Sequence, residues 1–414
     1  MTSEIKQRIE QIRRGEVPEG YKKIHGDIVP LTWHQISLAD CIVPYEEKTS
    51  VANQYPVLTS SRKGLMLQTD YYSNRQVTTE DNVGYNIIPF GYITFRSRSD
   101  DGRFKFNQNS IIDRGIISYF YPVFTFSDGV SCEFLLQLLN HTIYKKMFPY
   151  AEGTAQQVLS LKKLGRFKYP VPQIHEQQKI ATVLSSQDKL VELKEKLLAE
   201  KQRQKKYLMQ QLLTGKRRLP GFEGVWKYIP AREIFKSITD KKHSGDIQVL
   251  SSTQDRGIVP RDQVGIDIKY EADSLSSYKK VEKGNFVISL RSFQGGIEYS
   301  DYTGIVSPAY TVLKSIEKIS DEYYKQFFKS TDYINRLNIA VYGIHDGKQI
   351  SYEDFGRIKI PYPALDEQIA IAKVLSTADR ENDLLRQDIE QEKQKKKALM
   401  QLLLTGIVRV TPCH

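Results

Sequence analysis

Residues Arg166 to Gly215 begin RFKYPVPQIHEQQKIATVLSSQD and end LMQQLLTG, and residues Arg357 to Gly406 begin RIKIPYPALDEQIAIAKVLSTAD and end LMQLLLTG. The two segments align without a gap at an offset of 191 residues, and 22 of their 50 positions are identical. A long internal repeat determines the first level of fold organisation. The sequence therefore predicts a chain of two similar halves, each of which ends in this segment.

Each repeated segment is predicted to form one long helix. Pro172 and Pro363 disfavour helix before them, and Gly215 and Gly406 are suited to left-handed C-terminal caps. The apolar residues recur at near-heptad spacing, so we expect the two helices to pack antiparallel as a coiled coil about 60 Å long. The predicted stripes are Ile180, Val183, Leu184, Leu190, Val191, Leu197, Leu198, Leu208 and Leu212, and Ile371, Val374, Leu375, Ala378, Leu385, Ile389, Leu399 and Leu403.

The stretches between the helices combine short β-type runs with helical segments, and they repeat more faintly. Trp33 corresponds to Trp226, and Arg96 corresponds to Arg291. The predicted fold class is α/β (α+β), with two mixed domains separated by a pair of long antiparallel helices in a pseudo-two-fold arrangement. The predicted segments are 1–165, with a short N-terminal helix and the first domain, 166–216 and 357–414, with the helices, and 217–356, with the second domain.

Composition narrows the class of protein. The net charge is +11 and the isoelectric point is near 9.2, which favours a polyanionic partner such as nucleic acid. No apolar run reaches the roughly 18 residues of a membrane span, and the charged N-terminus lacks the apolar stretch of a signal peptide, so we expect a cytoplasmic protein. Cys41, Cys132 and Cys413 form no C-x-x-C pair, which argues against a metal site and a disulfide framework.

The duplicated pattern P-x-P-x-x-x-E-Q-x-x-I-A-x-V-L-S, followed by L-M-Q-x-L-L-T-G, resembles the specificity subunit of type I restriction–modification enzymes. The resemblance implies two target-recognition domains that each read one half of a bipartite, gapped double-stranded DNA target. It also implies that the helices set the gap and dock two methyltransferase subunits, which two restriction subunits then join. S-adenosylmethionine, ATP and magnesium are expected in those partners, and no cofactor is expected in this chain.

Motifs for catalysis are missing from the sequence. No N-P-P-[FYW] or D-P-P-Y tetrapeptide appears, so the chain lacks a pocket motif for a flipped adenine. The segment Gly343 to Gln349 is too short for a phosphate-binding loop, and the adjacent His345 and Asp346 are more typical of a turn or a phosphate contact. We therefore predict no catalytic residue and no metal ligand. A self-sufficient methyltransferase or nuclease, and a coiled-coil adaptor that reads no DNA, are the alternatives.

Candidate DNA contacts are Arg, Lys and Gln side chains in loops, because these side chains pair with phosphates or with guanine and adenine edges. Arg96 and Arg291 match across the halves, which favours phosphate positioning over base reading for both. The candidates are Arg62, Lys63, Arg96, Arg98, Arg103 and Lys105, with Asn107 and Gln108 beside them, in the first domain, and Gln254, Arg256, Arg291, Gln294 and Lys348 in the second.

The helices carry two further groups of candidates. A basic run interrupts both apolar stripes; it is either a solvated helix face or a contact to the unread DNA or a partner, through Lys205, Lys206, Lys396 and Lys397. Repeated polar residues on the same helices are candidates for partner docking: Glu176, Gln177 and Asp188 in the first copy, and Glu367, Gln368 and Asp379 in the second.

Overall fold

The structure is a computed structural model that describes residues 2–72, 81–147, 157–243, 247–264, 272–290, 296–341 and 350–410. The chain divides into two units: unit 1 contains residues 1–192 and 390–414, and unit 2 contains residues 193–389. This division cuts across the four segments predicted from the sequence, because each unit includes part of both long helices.

Unit 1 is built on a four-stranded antiparallel sheet with the strand order β10-β8-β12-β4, flanked by two-stranded pairs. One of these pairs, β5 with β6, is a hairpin whose turn holds Arg62 and Lys63. The strands are β1 Tyr21–Ile24, β2 Asp27–Pro30, β3 His34–Ser37, β4 Ile42–Tyr45, β5 Leu58–Ser61, β6 Gly64–Leu67, β7 Asn86–Pro89, β8 Ile93–Phe95, β9 Arg98–Ser99, β10 Phe106–Gln108, β11 Arg114–Ile117, β12 Val123–Phe126, β13 Gln157–Val158 and β14 Lys168–Val171.

Unit 2 repeats this design. Its four-stranded sheet has the order β16-β23-β20-β21, and the hairpin of β17 and β18 corresponds to the hairpin of unit 1. The strands are β15 Lys227–Pro230, β16 Phe235–Ile238, β17 Leu250–Thr253, β18 Gly257–Pro260, β19 Lys279–Val281, β20 Phe286–Ile288, β21 Glu298–Tyr299, β22 Gly304–Val306, β23 Thr311–Ser315 and β24 Lys359–Tyr362.

Two of the helices, α6 and α10, are 39 residues long and coincide with the predicted ones. The helices are α1 Ser3–Arg13, α2 Leu38–Cys41, α3 Gln68–Tyr71, α4 Cys132–Met147, α5 Leu161–Gly165, α6 Ile174–Leu212, α7 Asp321–Phe327, α8 Thr331–Val341, α9 Tyr352–Arg357 and α10 Leu365–Leu403. Short 3-10 turns cover Ala231–Glu233, Arg261–Val264 and Ala272–Ser277.

Both long helices begin and end as the prolines and glycines predict. Gln177 of α6 donates from Nε2 to the carbonyl of Pro172 at 2.9 Å and accepts from the Ser131 amide at 2.9 Å. After each helix the chain turns at a glycine with positive φ, +69° at Gly215 and +73° at Gly406. An added Cβ at Gly406 would lie 2.5 Å from Pro30 Cδ, so glycine is required there by space as well as by φ.

The long helices pack antiparallel within each unit. In unit 1 the first turns of α6, with Ile180 and Leu184, share one hydrophobic core with Leu403 at the end of α10. In unit 2 Leu212 at the end of α6 shares a core with Ile371 at the start of α10. The predicted antiparallel pairing is therefore confirmed, and the sheet of each unit packs onto these helix ends.

The apolar stripe is less continuous than the heptad pattern predicts. Val183 and Leu197 belong to that stripe, yet they are 38% and 49% exposed. Ion pairs replace part of the apolar contact near these positions, including Lys194 of α6 with Asp388 of α10 at 2.8 Å. Burial is strongest where the helix ends meet the sheets.

Several smaller expectations concern single residues and spans. Trp33 is 1% exposed and belongs to the interior, whereas its counterpart Trp226 is only partly buried. Cys41 and Cys132 are free thiols, and Cys413 lies outside the described residues. Within the described part of the chain, no helix combines the length and apolar character that a membrane crossing requires.

Candidate nucleic-acid interface

The six basic residues predicted for the first domain line one cavity of about 540 Å³ in unit 1. The β5–β6 turn supplies two of them, the end of β8 and the start of β9 supply two more, and the segment before β10 supplies the last two. Of the residues that the structure describes, Asp100 and Asp101 are the acidic ones in the same lining. The structure thus brings together Arg62, Lys63, Arg96, Arg98, Arg103 and Lys105.

Asp101 organises one wall of this cavity. Nη2 of Arg62 lies 2.7 Å from each of its carboxylate oxygens, and Ser99 Oγ donates to it at 2.9 Å. Desolvation acts to raise the pKa of Asp101, but hydrogen bonds from Ser99 and Arg62 outweigh it and hold the pKa at about 2. The Arg62 side chain is nevertheless 67% exposed, so its outer face is open to a phosphate.

Two other arginines of the cavity lie over aromatic rings. The Arg98 guanidinium is 5.4 Å from the centroid of Phe120, and the Arg103 guanidinium is 5.4 Å from that of Tyr144. Such contacts restrict an arginine side chain while leaving its N–H groups free to donate. The arrangement presents pre-oriented cations, which suits binding of a phosphate backbone.

Lys105 connects the cavity to the long helices of unit 1. Desolvation, followed by the nearby charge of Lys396 on α10, lowers the pKa of Lys105. The residue is still exposed to solvent in part. Lys105 is thus close enough to α10 for the Lys396 charge to act on it, whereas the described lining of the cavity itself falls within residues 59–121.

The second domain has a cavity of different charge. Gln254 and Arg256, in the β17–β18 turn, line a cavity of about 860 Å³ that also includes Lys205 and Asp379 of the long helices. Its described lining is balanced, with six basic and six acidic side chains: Lys205, Arg256, Lys325, Lys329, Arg380 and Arg386 against Asp255, Glu298, Asp301, Glu322, Asp379 and Asp383. The predicted Arg291, Gln294 and Lys348 lie outside the described residues, so their roles stay predictions.

Two neighbouring amides do not belong to the interface. Asn107 is 5% exposed and donates from Nδ2 to Ser60 Oγ at 2.8 Å and to the Ser61 carbonyl at 2.9 Å. Gln108 donates from Nε2 to the carbonyl of Gly91 at 2.8 Å. Because both amides are used inside the domain, the sequence-based suggestion that they contact DNA does not fit their positions.

Four of the residues predicted for partner docking are buried. Glu176, Gln177, Glu367 and Gln368 are 1–3% exposed, which leaves almost no surface for a partner. Glu176 accepts two hydrogen bonds from Arg409, at 2.6 and 2.7 Å. Their positions correct the docking prediction: these side chains lock the start of each long helix to its own unit.

In unit 2 the corresponding glutamate, Glu367, has an additional hydrogen-bond donor. Glu367 accepts from Arg218 at 2.5 and 2.7 Å and from Trp226 Nε1 at 2.9 Å. In unit 1 the corresponding Nε1 of Trp33 is buried without a partner among the described residues. Glu176 and Glu367 are thus equivalent in position, but they accept different numbers of hydrogen bonds.

Two of the four predicted helix lysines are used between the helices. Lys205 is ion-paired with Asp379 in unit 2, and Lys396 is ion-paired with Asp188 in unit 1. A fully solvated face does not describe Lys205 and Lys396, because the aspartates of the facing helix bind them, and their contact with unread DNA or a partner stays a prediction. Lys206 and Lys397 are exposed, and the described residues provide no ion pair for either.

Sequence reasoning missed the partners of these charged groups, and one signal could have revealed some of them. Asp188 and Asp379 are separated by the same 191 residues as Lys205 and Lys396. Antiparallel pairing of the two repeat copies joins each aspartate to the lysine of the other copy. Asp101, by contrast, has no counterpart in the repeat, so no periodicity could indicate its contact with Arg62.

Comparison with known proteins gives one consistent family. Residues 36–201 and 223–394 match the sequence model described as type I restriction modification DNA specificity domain. The type I restriction enzyme MjaVIII specificity subunit of Methanocaldococcus jannaschii is 24% identical over 432 residues, spanning 95% of this chain and 96% of that protein.

Solved structures share the fold. The S subunit of a type I restriction-modification system from M. genitalium has a TM-score of 0.54 at 14% identity, with 92% of this chain and 97% of that chain covered. A chain from a structural study of assembly and conformational transition of the type I R-M system also has a TM-score of 0.54, at 15% identity, with 92% and 99% covered.

Proposed function

This chain belongs to the type I restriction modification DNA specificity family, and we propose that it is the DNA-reading subunit of such a system. Each of its domains reads one half of a gapped target in double-stranded DNA. The two matched copies of the specificity domain, and the paired sheets and hairpins of the two units, support one reading domain in each half.

The observation that carries the proposal is the basic cavity of unit 1. Among the described residues, six cations and two carboxylates line it. A surface of this charge favours DNA binding, because condensed counterions are released from the DNA when its phosphates are neutralised. The equivalent hairpin turn of unit 2 offers Gln254 and Arg256, whose side chains match adenine and guanine edges in the major groove. The hairpin turns are the parts that we assign to contact DNA.

The helices have a separate role in this proposal. Helices of 39 residues set the length of the unread gap between the half-sites and provide the docking surface for two methyltransferase subunits. Asp188 and Asp379 keep side chains that are 43% and 39% exposed, so they remain candidates for docking beside their ion pairs. Lys206 and Lys397 are the candidates for contact with the unread DNA.

The chemistry is assigned to partner subunits. Methylation of adenine and ATP-dependent cleavage require S-adenosylmethionine, ATP and magnesium, and we propose that the methyltransferase and two restriction subunits bind them. This chain contributes no catalytic group in that scheme. Its place of action is the cytoplasm, where the DNA and those partners would be found.

A domain exchange tests the proposal. The chain is produced with its methyltransferase partner, and the bound sequence is determined by selection from random duplexes. Replacement of residues 20–165 with the corresponding domain of a relative should change one half of the selected sequence and leave the other half intact. A swap that alters both halves, or a wild-type complex that selects no gapped sequence, contradicts two independent reading domains.

A further inference from the structure

The two sheets end in equivalent edge strands that carry different buried polar residues. Asn107 of β10 is paired with Thr94, the third residue after Gly91, and Glu298 of β21 is paired with Val287, the third residue after Gly284. Since Gly91 and Gly284 are matching positions of the repeat, Asn107 and Glu298 occupy the same place. They are 5% and 2% exposed.

In unit 1 two amide side chains act at this edge strand: Asn107 on the strand itself and Asn140 on the helix α4 beside it. Asn107 donates to Ser60 and Ser61, the last residues of β5 before the turn. Asn140 of α4 holds the neighbouring residue of the edge strand: its Nδ2 donates to the Phe106 carbonyl at 3.0 Å, and its Oδ1 accepts from the Phe106 amide at 2.9 Å. The chain of bonds runs from α4 through the edge strand to the hairpin.

In unit 2 a charged pair occupies the same positions. Lys329 lies nine residues after Ser320, as Asn140 lies nine residues after Ser131. The backbone amides of Ser131 and Ser320 donate to Gln177 and Gln368 of the long helices, respectively. Nζ of Lys329 is ion-paired with Glu298 and donates to the carbonyl of Gln254, in the hairpin turn, at 3.3 Å.

We propose that Asn107 with Asn140, and Glu298 with Lys329, are positioning residues that hold each hairpin turn against its sheet and thereby determine how well that domain distinguishes its own half-site. We call each pair a hairpin clamp. This inference rests on the proposed DNA-reading function and adds the residues that set its accuracy.

The physical need for a clamp follows from the hairpin itself. An isolated two-stranded hairpin is marginally stable in water, and a reading side chain must be held within about 0.5 Å of its productive position. Arg62 and Gln254 stand on such turns. In unit 1 the bonds from Asn107 to Ser60 and Ser61 are buried or partly buried, and in unit 2 the bond from Lys329 to the Gln254 carbonyl is exposed. None of these bonds uses the side chain of Arg62 or of Gln254.

Three variants test the clamp of unit 2, in the complex of the full chain with its methyltransferase. Lys329→Met removes the ion pair with Glu298 and the bond to the Gln254 carbonyl. Lys329→Arg keeps the charge and the donors, and the double variant Glu298→Gln with Lys329→Met also removes the buried carboxylate. Burial raises the pKa of Glu298, and the charge of Lys329 opposes that shift. In Lys329→Met the buried Glu298 carboxylate loses this cation, which lowers stability; the double variant removes the carboxylate and so isolates the effect of lost positioning.

Binding is measured on duplexes changed in one half-site at a time, beside the melting temperature. We expect Lys329→Met and the double variant to lose about tenfold of the preference at the second half-site, with the first half-site unchanged. Lys329→Arg should restore most of that preference. Full preference in the double variant, or equal loss at both half-sites, would overturn the clamp.

Unit 1 offers a matched control. Asn107→Ala should lower the preference at the first half-site alone. Asn109→Ala removes another buried amide of the same domain, which bonds the carbonyls of Ile88 and Ile112 and does not contact the hairpin turn. It should lower the melting temperature and leave the preference intact. Equal loss of preference in both variants would assign the effect to stability and overturn the clamp, and a wild-type complex without any half-site preference would overturn the proposed function together with it.

Discussion

Lys205 of α6 is ion-paired with Asp379 of α10. The equivalent bond joins Lys396 of α10 to Asp188 of α6, because each of these residues is offset by 191 positions in the chain from its counterpart in the other repeat copy. In each case a glutamine of the adjoining domain also binds the aspartate: Gln326 donates to Asp379 at 2.7 Å, and Gln137 donates to Asp188 at 3.2 Å. In each unit, one aspartate therefore binds both the facing long helix and the adjoining domain.

Charge reversal tests this bond in unit 2. Lys205→Asp should lower the melting temperature, because two carboxylates then face each other, and adding Asp379→Lys should recover part of the loss. The pair is partly exposed, so a coupling free energy of about 0.5–1 kcal/mol is expected from the double-mutant cycle. Additive effects of the two substitutions would show that the pair contributes no coupling.

The exposed lysines of the long helices and the ion-paired ones should have different functions. Lys206→Gln with Lys397→Gln should weaken binding to all DNA sequences and reduce the slope of log affinity against log salt by about 2, if both contact phosphates. Lys205→Gln with Lys396→Gln should instead lower the melting temperature. Titration of binding at several salt concentrations distinguishes the pairs, and an unchanged slope in the first variant excludes the phosphate contacts.

The buried glutamates at the helix starts should differ in their contribution to stability. Glu367 accepts from Arg218 and Trp226, whereas Glu176 accepts from Arg409 alone among the described residues. Glu367→Gln leaves a partly buried guanidinium without its anion, so we expect a loss of about 2 kcal/mol. Glu176→Gln should cost less. Calorimetric melting of both variants checks the order, and a larger loss for Glu176→Gln would contradict it.

Acid should weaken the wall of the basic cavity. The pKa of Asp101 is about 2 in the folded chain, below its ordinary value of 3.8. A depressed carboxyl pKa contributes stability above about pH 4, and that contribution is lost as the pH falls toward 2. The melting temperature of Asp101→Asn should therefore lie below that of wild type at pH 5 and approach it near pH 2. A difference that does not change over this range would argue against the pairing with Arg62.

Insertion into the helix tests the gap-setting role. Four residues after Lys201 add about 6 Å of helix and nearly one turn. At about 3.4 Å per base pair, the unread gap should grow by one or two base pairs with both half-sites unchanged. Two inserted residues rotate the following helix by about 200° and should separate Lys205 from Asp379. The DNA sequences selected by each variant give the length of the unread gap directly. An unchanged gap after insertion of four residues would mean that the helix does not set this length.

The long helices could be predicted from sequence because their signals are local: Pro172 before α6, Gly215 after it and a heptad stripe between them. The six cations of the cavity could also be chosen from residue type and loop position. Their partners could not be predicted, because the contacts span the chain: Arg409 lies 233 residues from Glu176, and Lys205 lies 174 residues from Asp379. Residue type alone gives the same weight to an exposed glutamate and to a buried one.

Each hairpin clamp is self-contained within one domain: Asn107 and Asn140 both fall in residues 20–165, and Glu298 and Lys329 both fall in residues 217–356. The Asp–Lys bonds between the helices, in contrast, use the same residue types in both repeat copies. Genetic exchange of a whole domain, with crossovers inside the repeats, would therefore carry a clamp intact and regenerate the helix bonds. From this division of polar contacts we expect that recombination between related genes can bring in a new reading domain without requiring any new contact between the helices.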